Sequence, residues 1–546
     1  MTGWINHIII APIIIPLVAG ALMLLLDERR RTLKAAISIF SASLLLIVAA
    51  LLAHFADTPS PDGSSAAGVY QLGNWPAPFG IVLVVDHLSA LMLVLTAVLG
   101  LSALIFSLAR WHKAGPNFHM LFQFLLMGLN GAFLTGDLFN LFVFFEVMLA
   151  ASYGLALHGS GPQRVKAGLH YVAINLAASS LFLIGVSLIY GVTGTLNMAD
   201  LAQRIPLVAA QDRMLLEAGA AILGVAFLVK AGMWPLSFWL PTTYMAAAAP
   251  VAAIFAIMSK VGVYILLRLS LLFFGAGSGA SAGFGNEWLL FGGMATMAFG
   301  LIGVLASQAM GRLAGYSVLV SSGTLLAAVG VDNTGVTGGA LFYLVSSTLT
   351  ISAFFLLIEL VERGQDAGAN VLAVTMEAYG DVDEDEPEEE VGETIPATLA
   401  ILGVSFAACG LLLAGLPPLS GFIGKFAVLA AVFNPTGPGD TTAIPPTVWV
   451  LVGLVILSGL SALIAMTRVG IRTFWASLEG TVPRVRVIEI APVAILLFLC
   501  VVLTVRAEPV MNYMTETART LHAPRDYIEK VLNAPRVMKT PAEATQ

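Results

Sequence analysis

Long apolar segments recur almost from one end of the chain to the other. Each runs for about 18–25 residues, the length of a helix that crosses a bilayer. Only 11% of the residues are charged, whereas a soluble domain carries about 25%. We therefore expect an all-α polytopic membrane protein with about 14 transmembrane helices, at approximately residues 4–26, 35–54, 81–109, 118–135, 138–157, 168–190, 216–240, 244–271, 287–308, 313–330, 338–360, 395–433, 447–467 and 487–505.

Two of these segments are interrupted near their middles. The stretch Ala-Gly-Met-Trp-Pro-Leu-Ser, which contains Gly232 and Pro235, is echoed by Ala-Gly-Leu-Pro-Pro-Leu-Ser, which contains Pro417 and Pro418. Proline has no backbone amide hydrogen and disrupts the preceding turn, so both stretches should break their helices. Paired breaks are typical of transporters built from inverted repeats, although two unrelated proline kinks would give the same pattern.

The polar segments indicate how the helices are oriented. Lysine and arginine collect in alternate loops, and the positive-inside rule then places the N-terminus and the tail from Arg506 onward on the outside. Nine acidic residues fall between Asp381 and Glu393, on the predicted inner side. A run of this kind is usually a solvated loop, and a docking surface for a partner subunit is the alternative.

Four ionisable residues lie deep inside apolar segments: Glu146, Lys230, Lys260 and Lys425. A charge at the bilayer centre costs about 2.5–3.5 kcal/mol on insertion scales, so such residues indicate a proton or ion pathway. Structural alternatives exist for each: a buried ion pair that fixes packing could explain Glu146 or Lys260, and snorkelling to an interface could explain Lys230.

The surroundings of the lysines refine this hypothesis. Lys230 directly precedes the first break, where freed backbone groups, water and its amine are expected to share a small polar volume. Tyr264 and Arg268 follow Lys260 at four-residue steps, which predicts a polar track along one helix face. Lys425 follows the second break by about two turns.

A hydroxyl-rich patch interrupts the apolar segment at 338–360. Its side chains could hold a chain of waters, or could bond back to their own helix. The patch comprises Ser346, Ser347 and Thr348.

Other chemistry finds no support in the sequence. Walker, GxGxxG, GxSxG and HExxH motifs are absent from a suitable context, so we expect no enzyme. Cys409 and Cys500 sit alone in apolar segments, and we expect no metal site, no cofactor and no nucleic-acid binding. Asp86 and Asp137 each begin a helix and are interpreted as caps.

Four segments of the chain resemble those of a known family. The segments 131–146, 85–92, 230–241 and 416–425 look like the signatures of the D-type subunit of Mrp-type multisubunit monovalent cation/proton antiporters, which are related to the antiporter-like membrane subunits of respiratory complex I. The resemblance covers roughly residues 4–505.

The resemblance implies a fold and an organisation. Two inverted five-helix repeats, with broken seventh and twelfth helices, would follow three N-terminal helices. The corresponding units are 1–110, 111–271, 285–470 with an acidic loop at about 364–394, and 471–546.

It also implies a function. Glu146, Lys230, Lys260 and Lys425 would relay protons, and the chain would act with the other Mrp subunits in a bacterial inner membrane to expel Na⁺ or K⁺. Many relatives carry His or Lys where this chain has its hydroxyl patch, for which we hypothesise a link of water and hydroxyls. The alternatives are a proton-pumping subunit of a complex I-like or hydrogenase redox complex, and a scaffold that does not transport.

Overall fold

The computed structural model describes residues 7–27, 29–58, 68–363, 397–434, 445–474 and 485–535. The helices in the first part of the chain are α1 (Ala11–Leu24), α2 (Arg31–Asp57), α3 (His87–Ser107), α4 (Phe118–Leu134), α5 (Leu138–Ala156), α6 (Pro162–Thr193), α7 (Met198–Arg204), α8 (Ala210–Ala231), α9 (Leu240–Ala246) and α10 (Ala249–Phe274). They are followed by α11 (Asn286–Ala306), α12 (Met310–Val331), α13 (Thr334–Glu362), α14 (Ala397–Ala414), α15 (Ser420–Phe433), α16 (Pro446–Phe474), α17 (Val487–Val505), α18 (Ala507–His522) and α19 (Arg525–Leu532).

The architecture confirms an all-α polytopic membrane protein. Within the described ranges, twelve helices are long and apolar enough to cross a membrane, accompanied by the shorter apolar helices α1, α4 and α15. A helix occupies each predicted apolar segment. The exact number of spans and the inverted repeats stay predictions, as does the division into units, and the acidic residues 381–393 lie outside the described residues.

The centre of the bundle is formed by α10 and α13. Both are buried along their whole apolar length, whereas α6, α14 and α17 expose most of theirs. A helix that is apolar all round is expected to be surrounded by other helices. Lys260 and the hydroxyl patch therefore lie in the middle of the protein, although the apolar pattern alone did not single out these two helices.

Both predicted breaks appear, and they begin in the same way. α8 is followed by Gly232, with φ of 75°, and α14 by Gly415, with φ of 72°. This left-handed conformation is one that glycine adopts freely at helix ends. The first broken helix extends further than predicted, because its second half is α9, which runs to Ala246, beyond the expected limit at residue 240.

The structure also differs from the sequence-based expectation at the start of α3. Residues 82–85 were expected to begin a helix but form a strand (β2, Val82–Val85) that pairs antiparallel with β1 (Gly68–Gln71). The physical reason is local: four consecutive apolar residues, three of them valines, favour an extended chain. The helix starts only after Asp86, whose side chain caps α3 by accepting from the Ser89 amide at 2.9 Å. Asp137 caps α5 in the same way.

The tail, for which the sequence predicted only a position outside the membrane, folds back onto the bundle as α18 and α19. The Tyr513 hydroxyl of α18 donates to the carbonyl oxygen of His87 at 2.8 Å. Beyond α19, the Ala534 carbonyl accepts from Gln71 of β1 at 3.1 Å. These contacts hold the tail over the end of the bundle at which α3 begins.

Candidate functional site: a row of buried lysines

Glu146 and Lys230 are connected through α6. A Glu146 carboxylate oxygen accepts from the Ser179 hydroxyl at 2.5 Å, and the Lys230 ammonium donates to the Asn175 side-chain oxygen at 2.7 Å. Asn175 and Ser179 are one helical turn apart, so they present their polar groups on the same face of α6. The two charged residues are thus neighbours in one polar group without forming a direct ion pair.

The expected polar volume at the first break takes a different form. The backbone amides of Gly232 and Met233 donate to carbonyls at the end of α8, including that of Leu228 at 3.0 Å. The Lys230 ammonium turns instead to the amide side chain of α6. The Lys230 ammonium is therefore satisfied by Asn175, and the carbonyls at the end of α8 are satisfied by the amides of the break.

Lys260 lies at the centre of the bundle and is completely buried. Its ammonium donates to the hydroxyl oxygens of Ser321 at 2.8 Å and Ser322 at 3.3 Å, both on α12. The neighbouring residue Gly262 allows α10 to lie directly on α8, since an added Cβ would stand 2.6 Å from the Ala231 backbone nitrogen. This close packing places the turn that carries Lys260 beside the turn that carries Lys230.

Lys425 closes the row at the second break. Its ammonium donates to the carbonyls of Leu413 at 3.3 Å and Ala414 at 3.1 Å, and it lies 3.5 Å from the Ser458 hydroxyl. The last carbonyls of a helix have no partner within the helix and carry partial negative charge. The end of α14 therefore supplies a neutral but favourable environment for a cation.

The hydroxyl patch of α13 joins neighbouring helices at two of its three positions. Ser347 is hydrogen-bonded to Ser321 at 2.9 Å, and Ser346 to Ser420 of α15 at 2.8 Å. Thr348 instead donates to the Leu344 carbonyl of its own helix at 2.6 Å. The predicted water-and-hydroxyl link can therefore use Ser346 and Ser347.

A small cavity lies between the partners of Lys260 and those of Lys425. It offers about 20 Å³ to the centre of a water molecule, and roughly 10–15 Å³ is enough for one water. Hydroxyl groups line it from both sides: Ser321 and Ser347 on the Lys260 side, and Ser346 and Ser458 on the Lys425 side. One or two waters here would complete a hydrogen-bonded connection between the two lysines.

None of the three lysines has a carboxylate within 4.0 Å in the part of the chain that the structure describes. Arg268 provides the contrast, since it forms two hydrogen bonds of 2.7 and 2.8 Å with Asp86. Burial raises the pKa of Asp86, but the charge and hydrogen bonds of Arg268 outweigh it and hold that pKa below its usual value. A buried pair of this kind stays ionised, whereas a lysine among neutral groups can lose its proton.

The predicted polar track along α10 is not continuous. Lys260 turns to α12, the Tyr264 hydroxyl donates to the Phe133 carbonyl of α4 at 2.7 Å, and Arg268 turns to Asp86. The Arg268 guanidinium also lies 5.3 Å from the centre of the Tyr264 ring, so these two residues continue the predicted track, which is interrupted between Lys260 and Tyr264.

Sequence reasoning missed the partners of the charged residues. A side-chain amide inside an apolar helix could have indicated Asn175. The serines gave no such signal, because a serine in a spanning helix can satisfy itself by bonding to its own backbone. The missed residues are Asn175, Ser179, Ser321, Ser322, Ser420 and Ser458.

Comparison with known proteins places this geometry in context. The family described as "NADH:quinone oxidoreductase/Mrp antiporter, TM" matches residues 135–438. A protein of Rhizobium meliloti (strain 1021), named as the probable D-type subunit of a K(+)/H(+) antiporter, is 66% identical over 538 residues, which cover 98% of this chain and 99% of that protein. The D-type subunit of the Na(+)/H(+) antiporter of Bacillus subtilis (strain 168) is 33% identical, over 96% of this chain and 99% of that protein.

The fold is similar to that of solved membrane complexes. A chain in the structure of the Mrp complex from Dietzia sp. DQ12-45-1b has a TM-score of 0.80 at 24% identity, covering 97% of this chain and all of that one. A chain of respiratory complex I from Thermus thermophilus has a TM-score of 0.71 at 22% identity, over 96% and 99% of the two chains. These likenesses concern the fold, whereas the sequence relatives fix the family. The chain therefore belongs to the NADH:quinone oxidoreductase/Mrp antiporter membrane family and, within it, to the D-type antiporter subunits, which are transporter subunits and not enzymes.

Proposed function

We propose that this chain relays protons across the middle of the bundle, from Glu146 and Lys230 through Lys260 to Lys425, and so couples proton movement to cation efflux by the whole antiporter complex. The cavity between the partners of Lys260 and Lys425 carries this proposal. It lies between the partners of two lysines that hydrogen-bond to neutral groups in the described chain, and a water there would complete the link.

The relay works through mutual repulsion. Each lysine is buried and meets hydroxyl, amide or carbonyl groups in place of a carboxylate. A proton gained by one lysine disfavours a second charge on the next, because the Coulomb energy between them is weakly screened in a buried site. Serine hydroxyls both donate and accept, so Ser321, Ser347 and Ser346 can pass a proton without becoming charged.

The Lys230 and Lys260 groups are connected by packing. The contact of Gly262 with Ala231 brings their helices together, while no side-chain hydrogen bond joins the two groups within the described ranges. We propose a water at this step, so that closure or hydration of the gap would control proton passage.

The cation and the orientation are further parts of the proposal. The 66% identical relative is named as part of a probable K(+)/H(+) antiporter, which favours K⁺ as the exchanged cation, with Na⁺ as the second choice. The bacterial relatives support a bacterial inner membrane, and the distribution of basic residues supports an orientation with the N-terminus, α18 and α19 outside.

The test is cation-dependent proton flux in inverted vesicles that carry the complete operon. Lys230→Ala should abolish K⁺- or Na⁺-driven dequenching of a pH dye while the complex still assembles. Lys166→Ala is the matched control, since Lys166 is exposed at the beginning of α6. Retained flux in Lys230→Ala would mean that protons cross through another protein of the complex and that this chain is a scaffold.

A second experiment addresses the hydroxyl link. Replacing Ser346 and Ser347 together by Ala removes the two serine hydroxyls of α13 that line the cavity and meet other helices. Transport should fall strongly while the lysines remain in place. Full activity of the double variant would exclude the hydroxyl link and leave the row of lysines to be connected in another way.

A further inference from the structure

A second, much larger cavity lies outside the row of lysines. It is a groove between α6, α8, α10 and α11 with a volume of about 330 Å³. Almost all of its lining is apolar, including Leu228, Leu266, Phe274 and Trp288. It reaches Met233 at the first break, directly after the helix that carries Lys230. The proton relay does not use this groove.

The groove opens to the apolar outer surface of the helices. Trp288 at its edge is 79% exposed and Val225 is 37% exposed. An added Cβ at Gly224 would find no heavy atom within 4 Å. An apolar gap of this size loses dispersion contacts unless something fills it, and the surface around it is the part of a membrane protein that lipid chains cover.

The dimensions fit one acyl chain. The lining of α8 extends from Ala220 to Leu228, which is roughly 12 Å of helix axis at 1.5 Å per residue. One leaflet contributes about half of a ~30 Å hydrocarbon core. The groove is therefore about as deep as the chain region of a single leaflet, and it runs from one end of the bundle towards its middle.

Charged groups lie beyond the end of the groove at which Ala220 stands. Arg213 and Glu217 precede Ala220 by about two turns and one turn on the same face of α8. The Arg213 guanidinium donates to the Val208 carbonyl at 3.2 Å, and its Nε is buried without a hydrogen-bond partner in the described chain. Glu217 accepts from Ser281 at 2.9 Å, and the exposed Glu287 adjoins Trp288.

We propose that this groove binds one phospholipid with a zwitterionic, primary-amine headgroup, whose acyl chain fills the apolar space. The guanidinium of Arg213 suits the phosphate. Glu217 and Glu287 suit the ammonium and disfavour a lipid with net negative charge. The bound chain lies against Met233, so it supports the break on which the position of Lys230 depends.

The experiment compares the intact antiporter complex with two glycine variants. Gly224→Phe places a ring in the groove, and Gly453→Phe places one on α16, where an added Cβ also finds no atom within 4 Å. Both changes replace glycine in a helix, so neither should weaken helix formation. The complexes are reconstituted into vesicles of phosphatidylethanolamine and phosphatidylglycerol and are then extracted in mild detergent. The lipids that they retain are identified by native mass spectrometry.

We expect wild type and Gly453→Phe to retain one phosphatidylethanolamine that Gly224→Phe loses, and Arg213→Gln to reduce its retention several-fold. Equal phosphatidylethanolamine retention in Gly224→Phe and Gly453→Phe would overturn the proposal. Loss of a partner protein from Gly224→Phe alone would also overturn it, because a protein helix would then occupy the groove. Equal retention of phosphatidylglycerol, insensitive to Arg213→Gln, would overturn the headgroup assignment.

Discussion

The hydrogen bond between Lys260 and Ser321 offers a direct test of the proposed relay. The Lys260 ammonium is fully buried, and its closest partner is the Ser321 hydroxyl at 2.8 Å, with Ser322 more distant at 3.3 Å. A hydrogen bond to a charged group contributes about 1.5–3 kcal/mol, and 1.4 kcal/mol is a factor of about ten in an equilibrium. Ser321→Ala should therefore lower the ratio of charged to neutral Lys260 by one to two powers of ten.

If charged Lys260 is an intermediate of transport, the rate of cation-driven proton flux in vesicles carrying the whole operon should fall at least tenfold. Ser321→Thr keeps the hydroxyl and should retain most of the rate. Thr348→Val is the matched control, because it removes a buried hydroxyl that bonds to its own helix. A normal rate for Ser321→Ala in an assembled complex would refute the reasoning, since the buried ammonium would then not depend on this contact.

Three further predictions concern residues that surround the proposed relay. Arg268→Leu leaves the Asp86 carboxylate buried without its partner, at a cost of about 3–5 kcal/mol; the melting temperature of the purified complex should drop, and an unchanged value would contradict the structural role of the pair. Burial holds the pKa of His522 below its usual value, although a neighbouring carboxylate opposes this. Its contribution to stability is therefore complete above about pH 6.5 and is lost as the pH falls through the lowered value. Hydrogen exchange of α18 should accelerate on acidification in wild type and less in His522→Gln; equal acceleration in both would exclude His522. Gly262→Val forces a Cβ towards the Ala231 backbone nitrogen, 2.6 Å away, so transport should be lost through separation of α8 and α10, and normal flux would show that their close approach is dispensable.

The charge environment of the Asp86–Arg268 ion pair differs from that of the lysines of the proposed relay. Asp86 and Arg268 compensate each other's charge near one end of the bundle. Lys230, Lys260 and Lys425 each hydrogen-bond to neutral groups in the described chain. Compensated charges stabilise one arrangement, while uncompensated ones respond to the protonation of their neighbours.

The sequence by itself determined the class of fold, the approximate positions of the helices and which charged residues lie inside them, because each depends on local pattern. An apolar run long enough to span a bilayer forms a helix there whatever its neighbours are, and a proline-containing break appears where Gly232 and Pro418 predict it. The cost of a charge in hydrocarbon also made Glu146 and the lysines recognisable without any contact being known.

Only the tertiary structure decided which groups meet those charges. The partners come from other helices, far away in the sequence: Ser321 lies 61 residues from Lys260, and Asn175 lies 55 residues from Lys230. Serine and asparagine are ordinary residues whose significance depends on the direction in which they point. The cavity and the groove likewise exist only between helices, where packing leaves space that no local pattern can reveal, because shape complementarity is a property of pairs of surfaces and not of single segments.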